Sequence, residues 1–203
     1  QDVREVLSND TDFEVVYAPR MAMITEGSNF FLGMQPGWDY ERDVSAMRLA
    51  ARRSDVAEHV LPNVRARASE IVGSAGGTLD VAKDLAGPIP AEMVGSYFGT
   101  PGPNRDQMID WTTTLFWYLF GDLGADPGLG LRAETAAGGL RAYLAEAIAA
   151  RKASGETRDD VLGRCLALQA AGTPGMDDRG IRDNLIGLVI GAVPTIAKAA
   201  ALA

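Results

Sequence analysis

The sequence predicts a mainly α-helical protein with little or no β-sheet. Three observations carry that expectation. Apolar residues recur at three- and four-residue spacing through most of the chain. No alternation sustained enough for a large sheet interrupts them. The stretch from Met176 onward starts polar and becomes apolar on nearly all sides, the pattern of a helix at the centre of a fold.

In order, residues 1–10 read as the end of a helix with Val3, Val6 and Leu7 on one face. Residues 11–33 have no sustained period and many turn residues, and read as a loop with short extended pieces. Residues 35–53 look helical, with Pro36 near the first turn and arginines at the end. Ser54 and Asp55 offer caps for the next helix. Pro62 starts or kinks it and Gly76-Gly77 closes it. Residues 79–103 are helical in two pieces, interrupted at Pro88 and Pro90 and ended at Gly99 and Pro101. Asn104 caps a following aromatic-rich helix. Residues 131–155 form a long amphipathic helix weakened by Gly138-Gly139. Thr157 caps the next, with Asp159 and Asp160 in its first turn.

Composition narrows the function classes. The chain has 203 residues, 47% hydrophobic, which excludes disorder as the main state. Nineteen basic against 27 acidic residues give a net charge of −8, unlike a general nucleic-acid binder. One cysteine and one histidine leave no disulfide and little room for a zinc site, so no metal ligand is assigned. The opening residues do not read as a signal peptide, and apolar runs are broken by Gly, Pro or charge well short of about 18 residues. A cytoplasmic protein without a membrane span is expected. Both ends lie inside helical patterns, so residues 1–203 read as a single partial domain.

The order of the segments resembles the cytochrome P-450 superfamily (haem-thiolate monooxygenases), N-terminal half only. Residues 157–199 are similar to the stretch leading into that family's central long helix, with Gly191-Ala192-Val193-Pro194-Thr195 at its (A/G)-G-x-(D/E)-T pattern. "WDYER" matches its W-x-x-x-R pattern, and residues 79–103 are similar to its D-x-x-x-x-x-A-x-P-x-P-x-x-V-x-x-x-x-G-x-P segment. The E-x-x-R pair and the F-x-x-G-x-x-x-C haem loop are missing. Cys165 stands in "VLGRCLALQ" and reads as a small buried hydrophobe. The expected fold is thus a partial cytochrome P-450 fold ending within the central helix.

The resemblance implies roles residue by residue. Thr195 would hydrogen-bond iron-bound dioxygen or a nearby water and help deliver protons; the alternative is a hydroxyl bonded to its own helix carbonyl. Gly191 and Ala192 would let the helix approach the porphyrin of haem b. Trp38 and Arg42, at i and i+4, would hold a haem propionate, or else form a surface cation–π pair. Phe116, Phe120 and Leu188 would face the substrate, or else belong to plain core. Arg48, Arg52 and Arg53 would meet an acidic ferredoxin-type redox partner, or else complement a helix dipole.

Pro194 stands where the family usually has an acid, and proline transfers no proton. It also withholds an N–H from the Ile190 carbonyl, fitting a local distortion of the helix or a simple packing kink. The expected function is oxidation of a hydrophobic small molecule at a thiolate-ligated haem, with the isolated chain inactive. Two alternatives stand beside it: a stand-alone all-helical ligand-binding or interaction module, and a peroxide-using or lipid-rearranging haem-thiolate enzyme.

Overall fold

A computed structural model describes residues 2–202, with the side chain of Leu7 outside the description. It is helical throughout, with no strand among the described residues, as the sequence predicts. Nine α-helices are described: α1 Asp2–Ser8, α2 Ala18–Ile24, α3 Trp38–Ala50, α4 Leu61–Ser74, α5 Pro88–Met93, α6 Arg105–Phe116, α7 Pro127–Ser154, α8 Val161–Ala170 and α9 Asp178–Leu202.

The prolines explain why several helices open in wide turns. Pro62, Pro88 and Pro90 have no N–H to return to the carbonyl four residues back. The chain answers with π-helical turns at Val56–Val60 and Val81–Ala86, the latter closed by Gly87 N–H donating to the Ala82 carbonyl at 3.1 Å. Two further π-turns, Val94–Phe98 and Trp117–Gly121, extend α5 and α6.

Asn104 caps α6 as expected, its side chain accepting from Gln107 N–H at 2.9 Å. Gly99 ends its element in the left-handed conformation (φ 75°).

Three local expectations are corrected. Residues 11–33 are not a plain loop: α2 forms there, and Phe31–Gly33 makes a 3-10 turn. Seven residues are too few for a period to show, and Pro19 marks the start of α2 rather than a break. The chain leaves α2 through Glu26 at φ 58°, a position that favours glycine. Glutamate is held there by its ion pair with Arg141, at 3.3 Å.

Asp160, not Thr157, caps α8, accepting from Gly163 N–H at 2.7 Å. Asp160 also takes a two-pronged ion pair from Arg151, at 3.1 and 3.2 Å. Asp55 makes no side-chain cap. It is buried and pairs with Arg164 of α8, while Tyr97 donates to it at 2.8 Å.

Helix α9 is the axis of the molecule. It packs against α3, α5, α6 and α7, and Ile181, Leu185, Ile186, Val189, Ile190 and Val193 are almost fully buried. Its closest approach is at Gly187, where an added Cβ would fall inside the ring of Phe30. Counted as an 18-residue window rather than as unbroken runs, α9 is long and apolar enough to cross a membrane (mean hydropathy 2.0). Here 33% of that window is buried, and the helix's buried residues run from Ile181 to Val193.

Two outcomes follow. Gly187→Ala should destabilise the fold by about 1–3 kcal/mol, the cost of overpacking, with part of the loss recovered by Phe30→Leu; denaturant unfolding measures both. Asp55 behaves differently with pH. Burial alone would raise its pKa, but hydrogen bonds from Arg164 and Tyr97 hold it below the ordinary 3.8. Its stabilisation is complete above that value and is lost as the pH falls below it. Asp55→Asn should cost about 3 kcal/mol at pH 7, and the gap to wild type should narrow at pH 3.

Candidate functional site

The last turns of α9 differ from the rest of it. Up to Ile190 the helix is enclosed; Gly191 and Ala192 are half-buried and Thr195 is exposed. A Cβ built on Gly191 meets nothing within 4 Å, so open space lies over this turn. The helix continues through Pro194 to Leu202. Pro194 leaves the Ile190 carbonyl without its usual helical donor. The Thr195 hydroxyl donates to the Gly191 carbonyl and, more weakly, to that of Ala192 at 3.4 Å. That bond uses its proton and leaves the oxygen lone pairs for an outside donor.

A second group sits at the start of α3. Trp38 is 77% exposed. Arg42 is held from both sides: Nε donates to Asp43 and Nη1 to Asp39, each at 2.7 Å. The Asp43 hydrogen bond strengthens its hold on its proton. Nη2 has no hydrogen-bond partner among the described residues. Both residues line a groove of about 1060 Å³ between the α2–α3 connection and the start of α9. Asp39, Asp43, Asp177 and Asp183 line it against Arg42 and Arg179, so its charge is predominantly negative.

The aromatic residues form a third group. Phe116 and Phe120 lie 4.9 Å apart between ring centroids, and Tyr17 meets Phe120 edge-on at 5.0 Å. Phe116 and Leu188 are half-buried, Phe120 exposed. Arg20 ties this cluster down: it donates to the carbonyls of Tyr118 and Asp122 and lies 5.0 Å over the Tyr118 ring. Neither Tyr17 nor Arg20 stands out in the sequence, because their partners are about a hundred residues away.

No family model matches the chain. Among curated proteins, the cyclomarin C epoxidase CymV of Salinispora arenicola (strain CNS-205) is 27% identical over 136 residues, which are 66% of this chain and 34% of its own. The erythromycin C-12 hydroxylase of Saccharopolyspora erythraea is 27% identical over 134 residues, 66% of this chain and 33% of its own.

Solved structures agree on the fold. CalO2 superposes with a TM-score of 0.79 at 21% identity, over 97% of this chain and 50% of its own. The cytochrome P450 enzyme CxnD, for C–S bond formation in chuangxinmycin biosynthesis, gives 0.71 at 18%, over 91% and 44%. A mutant of P450 EryK in complex with erythromycin B gives 0.64 at 22%, over 85% and 44%.

In sequence the chain resembles this epoxidase and this hydroxylase, and in fold it resembles cytochromes P450. It spans about a third of the length of the curated relatives it matches, and about half of each structural neighbour.

Cytochromes P-450 hold a haem; of the residues assigned to it here, Trp38 and Arg42 line the groove at the start of α9, whereas Gly191, Ala192 and Thr195 lie outside that lining. The exposed Trp38 indole and Arg42 Nη2 are donors suited to a carboxylate, set among four aspartates that oppose one, while the turn over Gly191 is open. The thiolate ligand is not among the described residues. Cys165 is fully buried, 3.9 Å from the Met47 sulfur, and burial, reinforced by Asp160, pushes its thiol up to about 12. At neutral pH it is a protonated packing group. Native protein should therefore leave Cys165 unalkylated by iodoacetamide at pH 8, with full labelling in 6 M guanidinium. Rapid labelling of the folded protein would make it a reactive thiol.

Proposed function

We propose that this chain is the N-terminal, haem-covering part of a haem-thiolate monooxygenase that oxidises a hydrophobic small molecule. On this reading residues 1–203 are one partial domain, the enzyme is cytoplasmic, and a ferredoxin-type partner supplies electrons. The observation that carries the reading is the Thr195 hydroxyl, exposed directly after the buried stretch of α9 that ends at Val193.

Haem b, ligated by a thiolate from beyond these residues, would supply the redox chemistry. The residues present do the rest. Gly191 and Ala192, carrying no more than a methyl group, admit a flat ligand against the helix. Trp38 and the free Nη2 of Arg42 are donors for its carboxylates. Phe116, Phe120 and Leu188 face the apolar substrate and exclude water.

Thr195 is the residue that handles protons. Its proton rests on the Gly191 carbonyl, and its lone pairs accept from water. The position before it is proline, so no carboxylate refills it from the same helix turn. Water or the substrate itself must then supply the proton. The same feature favours a second reading, in which a peroxide oxidant brings its own protons and no redox partner is needed.

A single substitution tests the proposal. Thr195→Ala, in the polypeptide carrying this segment at its natural length, should change stability by less than about 0.5 kcal/mol, because the side chain is exposed. Product formed per oxygen consumed should fall about tenfold or more. Unchanged coupling with dioxygen, together with unchanged turnover with hydrogen peroxide, would remove Thr195 from the chemistry.

A further inference from the structure

Arg42 does not stand alone. Asp43 next to it is 3% exposed, and its two oxygens serve different partners. Oδ1 accepts from Arg42 Nε at 2.7 Å, and Oδ2 accepts from the side-chain amide of Asn184, on α9, at 3.2 Å. Asn184 is fully buried, and its own carbonyl oxygen accepts from the backbone N–H of Phe31 at 3.2 Å. One line of hydrogen bonds therefore runs from the Arg42 guanidinium through α3 and α9 to the 3-10 turn before α3. The turn at Gly175 closes over the start of this line. A Cβ there would stand 2.6 Å from Arg42 Nε and 2.7 Å from Asp43 Oδ1, and Gly175 has φ 79°.

Simple solvation does not account for this arrangement. A surface arginine needs no buried carboxylate, and Asp43 is desolvated at a cost. The arrangement fixes which way the guanidinium faces. With Nε and Nη1 both held, rotation about the last side-chain bonds is blocked and Nη2 is the edge left over.

We propose that Asp43 and Asn184 are a positioning pair for Arg42, presenting its Nη2 edge to an anionic ligand and coupling that orientation to the Phe31 turn. As a role toward a cofactor carboxylate it rests on the reading above. The coupling itself does not need the cofactor. The pair lies apart from the reacting atoms and acts only through Arg42.

The donor pattern supplies a test that packing alone would not pass. In Asp43→Asn the new amide can accept from Arg42 or donate toward position 184, where it meets the Asn184 amide, itself a donor. The line breaks. In the swap Asp43→Asn/Asn184→Asp, the amide now at position 43 accepts from Arg42 and donates to the carboxylate now at position 184. That carboxylate in turn accepts from the Phe31 N–H. The line re-forms with the charge moved one residue along, while the Asn184 amide's other bond, to the Gly180 carbonyl at 3.0 Å, is lost, so recovery is partial.

The measurement is hydrogen exchange by ¹⁵N NMR at two places on the 203-residue chain, the Arg42 Nε–H and the Phe31 amide. Asp43→Asn should speed both by roughly three- to tenfold, the worth of one hydrogen bond to local opening. The swap should return both toward wild type. If Asp43→Asn does not fold, Arg42→Lys serves, and should speed Phe31 exchange while leaving Leu144 in α7 unchanged. An Arg42 Nε–H indifferent to Asp43→Asn overturns the positioning role. A Phe31 amide indifferent to Arg42→Lys, or no recovery in the swap, overturns the coupling. Neither readout contains haem, so failure of the cofactor reading would appear separately, as haem binding indifferent to Arg42.

Discussion

The structure depends on one constraint: α9 must run through the middle of the protein packed on every side, and then give up one face near its end. The first part needs space, because a helix enclosed by others must let their side chains in. Gly187 provides it by admitting the Phe30 ring to its backbone. The second part needs the packing to stop. Beyond Val193 the neighbours fall away, and Thr195 lies in the open within two turns of residues that are fully buried. Fully burying each large aliphatic side chain of the enclosed turns contributes about 1.5–3 kcal/mol. The open end thus continues directly from the buried stretch of α9.

Around this axis the acidic chain manages its charge by pairing. Asp55, Asp160 and Asp183 are all buried, and each meets an arginine. The pairs join elements distant in sequence: Asp55 before α4 to Arg164 on α8, and Arg151 on α7 to Asp160 at the head of α8. Removing one member would strand a charge, which costs far more than the intact pair contributes. Ser28 donates to Asp183 and Phe31 N–H to Asn184, so the turn before α3 is seated on the same stretch of α9 that Phe30 enters. Packing and polar contacts therefore agree on one position for that turn.

Much of this was legible in the residues. The long helices α7 and α9 declare themselves by period, and Asn104 and Gly99 by position. The ordered set of segments resembles cytochromes P-450, whose fold the structure shares. Short-range rules failed where a residue's partner is remote. Asp55 and Asp160 look like ordinary helix-start acids, and their arginines are 109 and 9 residues away. Helix α2 is too short to carry a period, and Glu26 stands in a position that favours glycine, its carboxylate near Arg141 and Arg182 across the fold. At the candidate site the sequence picked out Thr195, Trp38 and Arg42. Asp43 and Asn184 gave no signal, since a buried hydrogen-bond line has no spacing to read.

The central claim is that α9 is a rigid buried axis with an open end. Residue-resolved amide hydrogen exchange along α9 tests it most directly. The account predicts that amides from Leu185 to Ile190 exchange only through global unfolding, while those from Thr195 onward exchange at least a hundredfold faster, by local opening. Uniform protection through Leu202 would contradict the open end. Uniformly fast exchange from Leu185 onward would contradict the buried axis.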